Sequence, residues 1–284
     1  MCILFLHTNP DPQDNEYRLI VATNRDEYYT RPAKAAYKCP ETGVIAGRDM
    51  EPGREYGSWL GCTIKNELDN ELTEGKKFCF SCLTNISGNN KVPNAAGRGE
   101  LVIKYLEGTA TFPEYIDKLK NTDVSFNGFN LIGVELSKGG LTRTYHSCNQ
   151  PEIDSVYTGK HTIGFGNSTI SSPYMKVLNG RNRFQEIIER NLDKDQLKAE
   201  LLALLKDKTQ HLPDEELARR SPVGLQVLSS IYVEYLSAGY GTRTHTIVLL
   251  DKEWNMEFIE FTMQEPIIDP RHPEWHQTVI KSSL

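Results

Sequence analysis

The apolar segments of this chain come in close pairs, and that pairing restricts its architecture more than any other feature. Cys2–His7 and Arg18–Thr23 flank Thr8-Asn9-Pro10-Asp11-Pro12-Gln13-Asp14-Asn15, a turn-rich stretch that predicts a hairpin. Tyr56–Ile64 with Lys77–Thr84 makes a second strand pair. Gly128–Leu136 with Leu141–His146, around Lys138-Gly139-Gly140, makes a third, and Thr244–Leu250 with Met256–Phe261, around Asp251-Lys252-Glu253, a fourth. Between the pairs the period changes. Phe184, Ile187, Ile188 and Leu192 recur at helical spacing, as do Leu197, Leu201, Leu204 and Leu205, so each segment predicts a helix with one buried face. Leu101–Leu106 and Phe112–Leu119 predict shorter helices. Strand pairs alternating with amphipathic helices predict an α+β protein of largely antiparallel sheets covered by helices.

No internal repeat and no Pro/Ser linker divides the chain, so residues 1–265 are expected to form one domain. A polar, acidic insertion at 65–76 is expected to be a loop. The segment 266–284, with prolines at 266, 270 and 273, is expected to be an extended C-terminal tail. Net charge is −6 and the basic residues are scattered, which argues against a nucleic-acid partner. No run approaches the roughly 18 apolar residues of a membrane span, so any membrane contact is expected to be peripheral. The short apolar N-terminus has no basic region before it and does not read as a signal peptide. Six cysteines in a chain of this size then suggest reduced thiols and a cytoplasmic protein.

Cys2 opens the first apolar segment. A small residue at position two usually permits removal of the initiator methionine, leaving one residue with both a thiol and a free α-amine. That amine, with an ordinary pKa of about 7.7–8.0, can serve as general base for its own thiol. Polar residues gather at the ends of other strands. Asn24-Arg25-Asp26-Glu27 follows Leu19–Thr23, in the strand expected to lie beside Cys2. There Asp26 can fix the amine while the cation of Arg25 favours thiolate. Asn85 ends Leu83-Thr84-Asn85, where its amide can donate to a developing oxyanion. Gly164-Phe165-Gly166-Asn167-Ser168 and Tyr240-Gly241-Thr242-Arg243-Thr244 set further polar groups beside glycines that allow close backbone approach. Cys79-Phe80-Ser81-Cys82 is a poor metal site, because residues three apart on a strand face opposite ways and no second such motif exists. No metal site is expected.

Asn24-Arg25-Asp26-Glu27 with Arg31-Pro32 resembles the naming motif of the NRDE-domain family, the transport-and-Golgi-organisation family. The resemblance continues through Ser58-Trp59-Leu60-Gly61, Leu83-Thr84-Asn85, Gly97-Arg98-Gly99-Glu100-Leu101, Gly128-Phe129-Asn130-Leu131, Gly166-Asn167-Ser168-Thr169 and Tyr240–Thr246. It implies an N-terminal-nucleophile hydrolase-like fold, a four-layer αββα sandwich of two mainly antiparallel sheets. It also implies, by position, Cys2 as nucleophile and base and Arg25 and Asp26 as the residues that orient it. Asn85 falls in the oxyanion-hole region, Asn167 is a second asparagine of the site, and Arg243 is a distal arginine. Asn24, Arg25, Asp26, Glu27 and Arg31 become the ligand-binding candidates. The acidic insertion departs from the family pattern.

The family is associated with intracellular haem trafficking out of membrane-bound stores, with Golgi organisation, and with lipid and acyl-coenzyme A metabolism. The resemblance therefore implies a haem chaperone, with haem as transported ligand and no required cofactor, in the cytoplasm near Golgi, mitochondria or lysosome-related organelles. The alternative is a Cys2-dependent hydrolase of acyl amides or acyl-CoA thioesters. The chain lacks a Cys-x-x-Cys-His haem-attachment motif. Its candidate axial ligands, His7, His146, His161 and His245, are dispersed, and Cys39-Pro40 is only a two-residue match to haem-responsive elements.

Overall fold

The computed structural model describes residues 2–66, 75–140 and 142–284. The chain divides into two compact units, one comprising 1–32, 84–89 and 160–283, the other comprising 33–83, 90–159 and 284.

In the first unit the sheet contains β1 (Cys2–Thr8), β2 (Tyr17–Tyr28), β10 (His161–Phe165), β11 (Glu234–Tyr235), β12 (Tyr240–Asp251), β13 (Asn255–Met263) and β14 (Trp275–Ser283). The order is β10-β1-β2-β12-β13-β14, every pairing is antiparallel, and β11 pairs with β12. The helices of this unit are α3 (Met175–Glu189), α4 (Lys194–Leu205), α5 (Glu215–Arg220) and α6 (Leu225–Leu228). Alternation puts Ile3 and Phe5 of β1, Ile20 and Ala22 of β2, and Ile247 and Leu249 of β12 in one core with Val177, Phe184 and Ile187 of α3 and Leu197, Leu201 and Leu204 of α4. The two helices predicted from leucine and phenylalanine spacing are thus present, and their apolar stripes are the buried ones. α4 begins where Asp193 accepts the amide hydrogens of Asp195 and Gln196 at 3.0 and 2.9 Å. α3 lies tightly on β1: a Cβ at Gly180 would come 2.3 Å from the Phe5 ring, so only glycine permits this approach.

The second unit is a meander of β3 (Ala33–Lys38), β4 (Ile45–Asp49), β5 (Leu60–Asn66), β6 (Lys76–Asn85), β7 (Phe129–Ser137), β8 (Thr142–Asn149) and β9 (Glu152–Thr158), in that order. The last two residues of β6 belong to the first unit. α1 (Gly99–Glu107) and α2 (Phe112–Lys120) lie between β6 and β7 in sequence. Leu101, Val102 and Leu106 of α1 and Phe112 and Ile116 of α2 form a core with Val44, Ala46, Cys79, Leu131 and Tyr145 from one sheet face. Both units are therefore antiparallel sheets with helical cover, and the chain is α+β as expected from its strand pairs.

Three expectations need adjustment. In the second predicted strand pair β5 begins at Leu60 rather than Tyr56, β6 spans Lys76–Asn85, and the pairing runs out to Asn66 opposite Lys76, so both ends of the acidic insertion are strand. The remainder of that insertion, 67–74, lies outside the described residues. The tail does not simply trail over the surface, because Trp275–Ser283 returns as β14 and pairs with β13 along its whole length. Among the described residues no helix is long and apolar enough to cross a membrane.

Candidate functional site

Cys2 is the first residue of β1, and the register of the first hairpin sets what faces it. Cys2 pairs with Arg25 and Ile3 with Asn24. Residues directly opposite in an antiparallel pair share a sheet face, so Cys2 and Arg25 stand together on the face away from α3 and α4. Ile3 and Asn24 point toward the helices. The sequence motif is thereby divided between two sides of one strand.

On the helix side Asn24 is fully engaged with the fold. Its amide nitrogen donates to the carbonyls of Leu205 and Ile231 at 2.8 and 3.0 Å, and its oxygen lies 2.7 Å from Nδ1 of His245. Asp26, also buried, accepts the Thr242 hydroxyl at 2.7 Å, and its carbonyl accepts the Tyr240 hydroxyl at 2.9 Å. A β-bulge falls at this level. Thr242 pairs with Asp26 and Thr244 with Arg25, so Arg243 is an extra residue in β12. Bulges re-aim side chains and are common beside functional sites. Here the bulge sends the guanidinium of Arg243 to the carbonyls of Tyr28 and Arg31 and to Glu265, 2.5 Å away. Arg243 thus fastens the turn after β2. Glu27, near the end of β2, and Arg31, just beyond the turn, have their charged groups 3.8 Å apart.

Asn167 joins the site from the segment after β10. Its side-chain oxygen accepts from the backbone nitrogen of Cys2 at 2.6 Å, and its amide donates to the backbone carbonyl of Asn85 at 2.6 Å. Its own backbone carbonyl accepts from Ser87 and from the Tyr174 hydroxyl. The Asn85 side chain is exposed, so the structure connects Asn85 to Cys2 through its carbonyl rather than its amide. Cys2, Arg25, Asp26 and Asn167 are brought together; Asn24 and Arg243 support the strands that carry them, while Glu27 and Arg31 pair with each other.

Sequence reasoning missed Lys176. This lysine in the first turn of α3 is completely buried, and its Nζ donates to the carbonyl of Ser230 at 3.0 Å. The next carbonyl, Ile231, holds Asn24, and Val233 donates its amide hydrogen to the Thr242 hydroxyl at 2.9 Å. One short segment, 230–233, thereby carries Lys176, Asn24 and, through Thr242, Asp26. Burial raises the Asp26 carboxyl above its ordinary pKa, an effect opposed by Lys176 and by the Thr242 hydroxyl. Burial also lowers the Lys176 ammonium, opposed by the charges of Asp26 and Cys2. A signal was present: Lys176, Gly180 and Phe184 recur at i, i+4 and i+8, which places the lysine on the apolar stripe.

Cys2 keeps partial solvent access as a residue, while desolvation of the thiol pushes its pKa up. The charge of Asp26 raises it further, while the backbone amide of Asp26 and the cation of Arg25 act the other way. The site therefore holds a thiol beside a fixed cation, with its backbone nitrogen clamped. That arrangement suits either attack by sulfur or ligation through sulfur.

The histidines are deployed differently. His7, His146 and His245 are buried, and each has a ring nitrogen within hydrogen-bonding distance of a side-chain oxygen, on Thr162, Asn130 and Asn24. Desolvation lowers His7 and His146 to about 4 and His245 to about 3. His161 lies beside the Thr8 hydroxyl. Cys79 is buried in the α1/α2 core, where desolvation raises its thiol to about 11. Among the described residues, no three His, Cys, Asp or Glu side chains cluster to hold a metal ion.

Fold and site together define an α+β protein whose antiparallel sheet opens on a thiol, with an arginine and a buried acid in the adjoining strand. The chain belongs to the transport and Golgi organisation 2 family, whose model matches residues 1–265. It is similar to Transport and Golgi organization protein 2 of Drosophila melanogaster, at 33% identity over 291 residues, covering 100% of this chain and 99% of that protein. It is also 35% identical over 273 residues to the Homo sapiens homolog of that protein, covering 93% of this chain and 94% of the relative. The Bos taurus homolog is 35% identical over 274 residues, with 93% of each covered.

Proposed function

We propose that this chain serves transport and Golgi organisation, the processes for which its relatives are named, by carrying haem at the Cys2 end of β1. The observation that carries this reading is the pairing of Cys2 with Arg25 on one sheet face. A thiolate is a recognised axial ligand of haem iron, and a neighbouring guanidinium suits a propionate carboxylate. The buried histidines support the choice of sulfur, since their rings are withdrawn from solvent and hydrogen-bond to neighbouring side chains. Haem is cargo in this reading, and the carrier returns unchanged.

Titrating the purified full-length chain with haemin tests it. A saturable Soret shift at micromolar haem is expected, weakened roughly tenfold or more, about 1.4 kcal/mol, in Cys2→Ser and in Arg25→Gln. No saturable shift, or equal affinity in all three proteins, removes haem carriage at Cys2.

A second reading is favoured by the 2.6 Å contact between Asn167 and the Cys2 nitrogen. After removal of Met1 that nitrogen is an α-amine, held where it can take the thiol proton. Cys2 would then attack the acyl carbonyl and expel the amine or thiol, which leaves with the proton taken by the α-amine; water would cleave the resulting acyl-thioester to a carboxylic acid and the free thiol. N-terminal sequencing decides the precondition: retained Met1 leaves an amide in place of the base. With Met1 removed, Cys2→Ala should abolish acyl hydrolysis, and unchanged turnover would take Cys2 out of the reaction.

A further inference from the structure

A second cationic site lies in the other unit, on the paired strands β3 and β4. Lys34 stands directly opposite Arg48 in that ladder, and Tyr37 opposite Ala46, with an irregularity in β3 between the two pairs. Lys34, Arg48 and Tyr37 share one sheet face by this register. The Lys34 ammonium lies 4.5 Å from the centre of the Tyr37 ring and the Arg48 guanidinium carbon lies 5.8 Å from it. Two cations therefore lie against one aromatic ring.

Like charges directly opposite one another destabilise an antiparallel pair, and among the described residues no acid pairs with either. Among the described residues neither Lys34 nor Arg48 forms an ion pair. Arg48 is 5% exposed, and its Nε and Nη1 are buried without a hydrogen-bond partner. Buried charges are ordinarily paired, and an arginine cannot escape by losing its proton. The Tyr37 ring offers partial compensation by its quadrupole but satisfies none of the N–H groups. Lys34, by contrast, is exposed, so the cluster has a deep cationic end and a solvent-facing one.

We propose that Lys34, Arg48 and Tyr37 form a binding site for the oxyanion group, phosphate or carboxylate, of a small ligand. Arg48 supplies planar N–H donors to two oxygens of the anion, Lys34 supplies a mobile second cation at the mouth, and Tyr37 forms the wall between them. The site stands whichever chemistry Cys2 performs.

The test is an NMR titration of the full-length chain, following the Arg48 Nε–H resonance, with inorganic phosphate in one series and acetate in the other at constant ionic strength. A saturable shift with phosphate alone assigns a phosphate group, and one with acetate alone a carboxylate. Lys34→Ala should weaken the binding severalfold and Arg48→Lys should abolish it, because an ammonium retains the charge but not the planar donor set. If Arg48→Lys does not fold, Tyr37→Leu at the partly exposed edge strand replaces it and should also weaken binding. Absence of a saturable shift in both series overturns the site, as does equal affinity in the wild type and every folded variant.

Discussion

The side-chain amide of Asn167 grips Cys2 and Asn85 at once, 2.6 Å from the nitrogen of the first and 2.6 Å from the carbonyl of the second. One planar group thereby ties the start of β1 to the end of β6. Asn167→Ala leaves a donor and an acceptor without partners at a half-buried site, which costs about 1–2 kcal/mol. Asn167→Asp should be at least as damaging, because a carboxylate oxygen would then face the Asn85 carbonyl. Urea midpoints of the two variants check the order; an alanine variant within about 0.5 kcal/mol of wild type would show the clamp to be dispensable.

Lys176 and Asp26 should be energetically coupled. Lys176→Met removes the cation that opposes the burial of Asp26, so Asp26 should titrate higher and the protein should lose of order 3 kcal/mol. In Lys176→Met/Asp26→Asn the second change removes the uncompensated charge, and the loss should be less than the sum of the singles. A double-mutant cycle from urea unfolding measures this. Additive losses would show that the two groups do not interact.

Thr242 donates to Asp26 and accepts from Val233 through the same hydroxyl. Thr242→Val keeps the shape and deletes both bonds, at a cost of about 1–3 kcal/mol. It should raise the Asp26 pKa, since a bond to the charged form is lost. Carboxyl carbon chemical shifts against pH read that change directly, and an unaltered Asp26 titration contradicts it.

Stability should fall on mild acidification. His7, His146 and His245 have folded-state pKa values of about 4, 4 and 3, below the ordinary 6.5. The unfolded chain therefore binds protons first, starting near pH 6.5, and stability declines from there to pH 4, with His245 continuing toward 3. Above pH 7 all three are neutral in both states and contribute no slope. Each contributes up to about 1.4 kcal/mol per pH unit within its window. Unfolding free energy measured from pH 7.5 to 4.5 should show the decline, with a shallower slope in His146→Gln. A flat profile would mean these rings protonate equally in both states.

Gly133 lies where β7 meets α2, and a Cβ there would come 2.1 Å from the Phe112 ring. Gly133→Ala should destabilise by about 1–3 kcal/mol through forced displacement of that ring. The urea midpoint should drop at constant slope, and Phe112→Leu in the same protein should recover part of the loss.

Local patterns made the hairpins and the four longer helices legible. β1 with β2, β7 with β8 and β12 with β13 each join segments with a short turn between them, so alternation and turn residues act together. β10 was not legible, because its partner β1 is about 160 residues away in sequence and nothing nearby marks the pairing. β9 escaped for another reason: it is an edge strand whose exposure alternates along Glu152–Thr158, and its polar side masks the strand signal. At the site, position in the motif identified Cys2, Arg25, Asp26 and Asn167 as neighbours. It did not reveal that Asn24 and Arg25 face opposite sides, which depends on strand pleat, nor that Arg243 is diverted by a bulge, which depends on register with β2. Lys176 stayed hidden because a lone lysine in a helix is read as solvated, although its spacing from Phe184 marked it as internal.

The last strand has a practical consequence. The family match stops at residue 265, yet β14 lies beyond it and pairs with β13 across nine residues, while its Trp275 stacks 4.9 Å from the His245 ring. A fragment cut at the family boundary would strip one side of β13 of its ladder and leave a long row of amide and carbonyl groups open to any passing strand. Such a fragment should self-associate more readily than the full chain. For this fold the boundary drawn by kinship and the boundary drawn by hydrogen bonding differ by an entire strand.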